Sequence, residues 1–273
     1  GLGDVYKRQL SEYLGVETYV LTHVEENFRG MILGTLNIYG IKVLEIQSKT
    51  MPVFVIRGGK AVEYRGSIDS IPEELVLASV DAVKPDIVVL APVMNELGIS
   101  VINSLVSYGL KTLAVDIQGY VRSIESGRIA CKWLKELEQA IANADIVHGN
   151  IAEFCFSSSE EEVLRYLAVL TTQNKSAVLV SLDQRGTYVV HQGEAYYIPA
   201  LAVNAVDSVG TGDILLAVSS YFKASGLPIL EAVTRGVVAA SLKVENAYRT
   251  WFDKETVETV AEEHVKNIRA VKV

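Results

Sequence analysis

Short, nearly unbroken apolar runs alternate along this chain with stretches whose apolar residues recur every three or four positions. The runs at 18–24 (TYVLTHV), 85–93 (PDIVVLAPV), 111–119 (KTLAVDIQG), 144–150 (ADIVHGN) and 176–186 (SAVLVSLDQRG) read as strands. Helical spacing fills 27–40, 99–109, about 131–143 and 159–173 between them. Strands that lack a polar face must be covered on both sides. The pattern therefore predicts an α/β fold with a mostly parallel sheet between layers of helices. Residues 41–47 and 52–69 break the rhythm, alternating apolar and polar positions with no helix between. They predict a small antiparallel β lid over 41–69, with 10–40 and 70–273 forming the main domain. A hairpin is expected over 186–200, and mostly helix from Thr211 onward. Residues 1–9 (GLGDVYKRQ) show neither period and read as a truncated or non-native start, outside the fold argument.

Composition narrows the function classes. With 273 residues, 49% of them hydrophobic, the chain can bury a large core. Its 33 acidic against 25 basic residues leave a net charge of −8, which disfavours nucleic acid or an anionic membrane as the partner. No apolar run approaches the ~20 residues that cross a bilayer. Cys131 and Cys155 lack metal-ligand spacing and read as reduced thiols of a cytoplasmic protein. His23, His148, His191 and His264 show no ligand spacing either. The run RGGK at 57–60 lacks the spacing and Ser/Thr of a P-loop, and no G-x-G-x-x-G follows a strand.

The most chemical stretch is AVDSVGTGD at 205–213, directly before a helical pattern. The first amides of a helix have no intrahelical acceptor and carry the positive end of its dipole. Glycine lets a backbone approach an anion closely. Gly210, Thr211 and Gly212 thus form a candidate anion hole, and Asp213 in the first turn is a candidate general base. A base beside an anion cradle suits phosphoryl transfer to an alcohol. Read alone, the same four residues also make an ordinary helix cap.

VDSVGTGDILLAVSSYF resembles the second signature, D-T-x-G-A-G-D, of the ribokinase (PfkB) carbohydrate kinase family. Asp207, Gly210, Gly212 and Asp213 match, with Ser208 in place of Thr and Thr211 in place of Ala. The resemblance implies that Asp213 is the catalytic base and that the 210–212 backbone is the anion hole. It also implies a monovalent cation beside Asp207, as in some members. ADIVHGNIAEF resembles the family's strand followed by N-x-x-E, implying that Asn150 and Glu153 organise water-bound Mg²⁺ and the nucleotide phosphates; a capping box is the other reading. VLVSLDQRGTYVV resembles the T-x-G-x-x-G nucleotide segment, with Ser181 for Thr, Gly186 retained, and Asp183 where the family has glycine. RGVVAASLKVENAY at 235–248 resembles the helix lining the adenine pocket, through Ala239 and Ala240; close helix packing is the equal alternative. LAVDIQGYVR resembles the D-x-Q-G-x-x-R run of a subgroup that includes archaeal kinases and plant inositol kinases, making Asp116, Gln118 and Arg122 substrate candidates or framework residues. The family's first strand and Gly-Gly signature find no counterpart, and Glu25–Glu26–Asn27 stand where members often have Gly-Asp.

The expectation is a ribokinase-like three-layer α/β/α protein with a small β lid. It would be a cytoplasmic, ATP- and Mg²⁺-dependent kinase for a hydroxyl of a sugar, inositol-like polyol or nucleoside. A homodimer through the lid fits the unpaired strand edges there. The alternative is a catalytically impaired pseudo-kinase or ligand-binding regulatory protein on the same fold.

Overall fold

Thr112–Asp116 is buried at every position, and Ile146–Asn150 and Ala177–Ser181 at all but the last. The unbroken apolar runs have become the centre of a sheet covered on both sides. The computed structural model describes residues 13–38, 40–57, 60–245 and 253–273. Its strands are β1 (Tyr19–Glu25), β2 (Lys42–Ser48), β3 (Val53–Arg57), β4 (Lys60–Arg65), β5 (Ile87–Leu90), β6 (Thr112–Asp116), β7 (Arg122–Glu125), β8 (Arg128–Cys131), β9 (Ile146–Asn150), β10 (Ala177–Ser181), β11 (Gly186–His191), β12 (Glu194–Pro199) and β13 (Arg269–Val271). The helices are α1 (Glu26–Ile38), α2 (Glu73–Val83), α3 (Ser100–Leu105), α4 (Gln118–Val121), α5 (Leu137–Asn143), α6 (Glu160–Thr171), α7 (Thr211–Ala224), α8 (Ile229–Val244) and α9 (Lys254–His264).

The large sheet runs β13-β12-β11-β10-β9-β6-β5. Its β5, β6, β9 and β10 are parallel, and β11 to β13 extend one side antiparallel. Side chains alternate between faces as the strand period requires. Leu113, Val115, Val147, Val178 and Val180 meet α2, α3, α5 and α6 through Val76, Ile102, Ile141 and Leu167. Ala114, Ile146 and Leu179 point the other way, against Leu215, Leu216, Val233 and Val237 of α7 and α8. Helix α9 closes over α7 and α8 through Val257 and Ala261. This is the expected three-layer α/β/α arrangement. No helix among the described residues is long and apolar enough to cross a membrane.

The lid differs from its expected outline. Strand β2 pairs in parallel with β1 in a two-stranded sheet of its own, with α1 connecting them and packing its Ile32 and Leu36 with Val20 and Val24 of β1. Val43 packs on the α1 side and Ile46, on the opposite face, against the main core, so both faces of β2 are partly covered, and it does not belong to the lid. The lid is a four-stranded antiparallel sheet, β3-β4-β8-β7. The turn expected at 58–59 lies outside the described residues. Strands β7 and β8 occupy 122–131, and the helix expected from about 131 begins only at Leu137, after a loop over 132–136. Ser126 (φ 50°) and Gly127 (φ 77°) turn that hairpin in the left-handed conformation that two-residue hairpin loops need.

Cys131 and Cys155, expected as separate reduced thiols, form a disulfide. Strand β8 ends beside the segment following β9, bringing the two Cα atoms to 6.2 Å, within disulfide span.

Helices α7 and α8 approach closely because Gly236 has no side chain. A Cβ there would stand 2.3 Å from Ser219 Oγ and 2.7 Å from the Leu215 carbonyl oxygen. Gly236→Ala should therefore destabilise the protein by about 1–3 kcal/mol, the usual effect of overpacking, read from urea unfolding. An unchanged midpoint would show that the two helices can part freely.

Candidate active site

All four parallel strands end at one edge of the sheet, the edge where open α/β sheets bind ligands. Asp116, Asn150 and Ser181 are the last residues of β6, β9 and β10. Helix α7 begins over this edge. Its N-cap Gly210 has φ 79°, a left-handed conformation that glycine adopts at no steric cost. Asp213 follows, partly buried, in the first turn.

The turn entering α7 is locally determined. Asp207 Oδ1 accepts the Val209 amide at 2.9 Å, and Ser208 O accepts both the Thr211 hydroxyl (3.1 Å) and the Thr211 amide (3.4 Å). Thr211 thus turns its amide back into the loop. The Gly210 and Gly212 amides make no hydrogen bond among the described residues. Of the three amides expected to form an anion hole, these two are open to an incoming anion.

Beneath the turn lies a histidine that sequence reasoning set aside. His148 is 4% exposed; its Nδ1 is 2.9 Å from Asp116 Oδ2 and its Nε2 3.2 Å from Ser181 Oγ. A Cβ on Gly212 would lie 2.7 Å from the ring's Cε1. Alternation along β9 carried the signal, since His148 shares the face of Ile146, which packs under α7. Burial would lower the pKa of His148. The Asp116 carboxylate outweighs that, aided by Glu153 and Asp213, and the net direction is upward.

Asn150 and Glu153 form a capping box at the 3-10 turn Ile151–Glu153. Glu153 accepts the Asn150 amide (2.8 Å) and the Gln118 side-chain amide (3.0 Å), while Asn150 Oδ1 accepts the Ala152 amide (3.1 Å). Desolvation and the Asp116 charge push the Glu153 pKa up, against the Asn150 amide, His148 and Gln118. Asn150 Nδ2 donates to Asp183 Oδ1 at 2.9 Å. Asp183 is exposed with φ 53°, so the glycine of the resembling family meets a left-handed backbone here. Gly186 is a packing requirement: a Cβ there would fall 2.2 Å from the Ile198 carbonyl oxygen.

The three acceptor-side candidates each make contacts within the protein. Asp116 is 7% exposed, with Oδ1 on the Gln118 amide at 2.8 Å and Oδ2 on His148 at 2.9 Å. Gln118 is held by Glu153. Arg122 starts lid strand β7, donates to Val93 O at 3.1 Å and lies 5.6 Å from the Phe54 ring of β3. Its burial pulls its pKa down, opposed by Glu153, Asp116, Glu96 and Asp213. Ala239, expected against a nucleotide base, is fully buried among Ile214, Val218 and Val257, so it packs helices; Ala240 is partly buried. Residues 246–248 of that run lie outside the described residues. Glu25 ends β1, Glu26 opens α1, and Asn27 turns its side chain to Glu25 at 2.8 Å.

Asp207, expected beside a monovalent cation, meets Lys243 of α8 instead. The ammonium lies 3.2 Å from Asp207 Oδ2, 3.0 Å from Asp207 O and 2.5 Å from Val209 O.

Residues 118–250 match the model of the pfkB family carbohydrate kinases. No curated protein matches the chain. Similar solved structures include a pyrophosphate-dependent myo-inositol-1 kinase converted by mutation into a myo-inositol-3 kinase, 18% identical with a TM-score of 0.77, covering 96% of this chain and 91% of that one. Ribokinase from Thermotoga maritima is 17% identical with a TM-score of 0.71, covering 96% and 86%. Phosphofructokinase-2 from Escherichia coli, in complex with potassium, is 16% identical with a TM-score of 0.67, covering 95% and 85%. At these identities the likeness establishes the fold, which is ribokinase-like.

The ring of His148 is held on both sides and cannot retreat from an added methyl group. Gly212→Ala should cost about 1–3 kcal/mol of stability in urea unfolding. A neutral result would mean that the ring and the turn do not touch.

Proposed function

We propose that this chain, whose residues 118–250 match the pfkB family carbohydrate kinase model, is a phosphotransferase acting on a sugar alcohol and uses Asp213 as its general base. The acceptor hydroxyl gives its proton to the Asp213 carboxylate as the acceptor oxygen bonds to phosphorus. The bond between the terminal phosphorus and its bridging oxygen breaks, and the shortened donor leaves. The Gly210 and Gly212 amides, at the positive end of α7, hold the charge on the moving phosphoryl group. The observation that carries this reading is the pair of open glycine amides beside a first-turn carboxylate, at the edge where the parallel strands end.

ATP is the donor in this reading, with Mg²⁺. Among the described residues, no three or more His, Cys, Asp or Glu side chains gather as a metal site. That fits an ion held through few carboxylates, waters and phosphate oxygens. Glu153, and Asn150 through water, would hold it, and it would offset phosphate charge. Asp116 acts through His148 and Gln118 through Glu153, while Arg122 offsets the carboxylates around it. Pyrophosphate is the second donor reading, favoured by the burial of Ala239, which removes one expected contact to a base. One solved neighbour is a pyrophosphate-dependent kinase complexed with a pyrophosphate analogue and myo-inositol. Inositols therefore head the acceptor panel, followed by sugars and nucleosides.

A cytoplasmic location requires that the exposed Cys131–Cys155 bridge be reduced there, since disulfides are rare in that compartment. Exposed Val53, Ile56 and Ile124 on the lid support pairing of two copies there, a mass that light scattering would read.

Turnover is measured with each acceptor and with ATP or pyrophosphate, for the native chain and for Asp213→Asn. The substitution should lower turnover about 10²–10⁴-fold while leaving donor binding intact, as loss of a general base does. Near-native turnover in that variant would defeat the assignment.

A further inference from the structure

Lys243 sits in the last turn of α8 with its side chain 4% exposed. An ammonium has three N–H donors and no acceptor capacity. Here it meets three oxygens: the Asp207 carbonyl at 3.0 Å, the Asp207 carboxylate at 3.2 Å and the Val209 carbonyl at 2.5 Å. Two backbone carbonyls and a carboxylate oxygen around one positive charge form the donor set of a hard monovalent cation. That is the ion the sequence suggested beside Asp207. The expected metal does not fit these residues, because its oxygens already hold a charge of the same sign and size.

We propose that the Lys243 ammonium is a built-in replacement for a monovalent metal ion, making the 207–213 turn independent of potassium or sodium. The surroundings support a fixed cation. Asp207 Oδ1 accepts the Val209 amide at 2.9 Å, so both carboxylate oxygens are occupied. The end of α8 is bonded to the same turn a second time, since Val244 O accepts the Val206 amide at 2.8 Å and the Asp207 amide at 3.1 Å. A positive charge also suits the C-terminal end of a helix dipole. Burying an ammonium this deeply is unfavourable unless every donor is matched, and here each has its oxygen. The turn so held leads directly into Gly210, whose left-handed conformation aims the first amides of α7. A metal ion at this place comes and goes with its concentration; a lysine does not.

The inference concerns this turn and stands without the kinase reading, so its test is read on binding and stability first. Thermal melting and ²⁰⁵Tl⁺ NMR, with thallous ion as the potassium probe, are recorded for the native chain and for Lys243→Ala. Both are measured in choline nitrate, with potassium nitrate added at constant ionic strength. The native chain should show no bound thallous resonance and a melting midpoint that moves by less than about 1 °C, because mass action shifts only a protein that binds the ion. Lys243→Ala should melt lower and recover part of the loss saturably with potassium. Saturable stabilisation of the native chain by potassium would overturn the proposal, as would a folded Lys243→Ala indifferent to it. If the variant does not fold, the native chain's response decides alone. Once an acceptor is known, native turnover should change less than about twofold between choline and potassium, since the turn's cation is already in place. A chain that turns over nothing defeats the kinase reading and leaves the melting result standing.

Discussion

The first amides of an α-helix have hydrogens to donate and no carbonyl within the helix to receive them. A protein can cap them, wet them, or aim them at a ligand. In this chain Gly210 and Gly212 leave two of them unoccupied at the start of α7, while Thr211 turns its own back to Ser208. The layers of the fold combine to set that helix end over the edge where β6, β9 and β10 finish, with Asp213 beside it. The order of strands, the α7–α8 contact at Gly236 and the buried histidine all matter through this one placement.

The placement is enforced from two sides. Below, His148 joins Asp116 at the end of β6 to Ser181 at the end of β10, and its ring fills the space a Gly212 side chain would need. Behind, α8 reaches over with Lys243 and the Val244 carbonyl to hold residues 206–209. The carboxylates at this edge are partly offset. Asp116, Glu153 and Asp213 act on both Arg122 and His148, which offset part of their charge. The lid is coupled to this centre at its root, because Arg122 opens β7 and lies against Phe54 of β3.

The main sheet was legible because both faces are buried, so its strands had to be apolar throughout and its helices had to show one apolar stripe. The helix start at Thr211 was legible because Gly-x-Gly directly precedes a run with helical apolar spacing. What escaped has local causes. The β7–β8 hairpin is short and exposed, and its Ser126–Gly127 turn is a weaker signal than the helical spacing that follows it. Strand β2 mixes apolar and polar positions like a lid strand, because both of its faces are only partly covered. Strand β13 is three residues at the end of a helical region. His148 looked solitary because its partners, Asp116 and Ser181, each lie more than thirty residues away along the chain. The same holds for Lys243 and Asp207, separated by 36 residues, and for the two bridged cysteines, separated by 24.

Selective ¹⁵N-glycine labelling gives the most direct view of the central claim, because it reports the two amides themselves. Amide spectra are recorded while Mg²⁺ and a non-hydrolysable triphosphate are added, then an acceptor. The account predicts that Gly210 and Gly212 move downfield and saturate together with the donor, as amides do when they bond to phosphate oxygens. Saturation of donor binding with both resonances unmoved would contradict it.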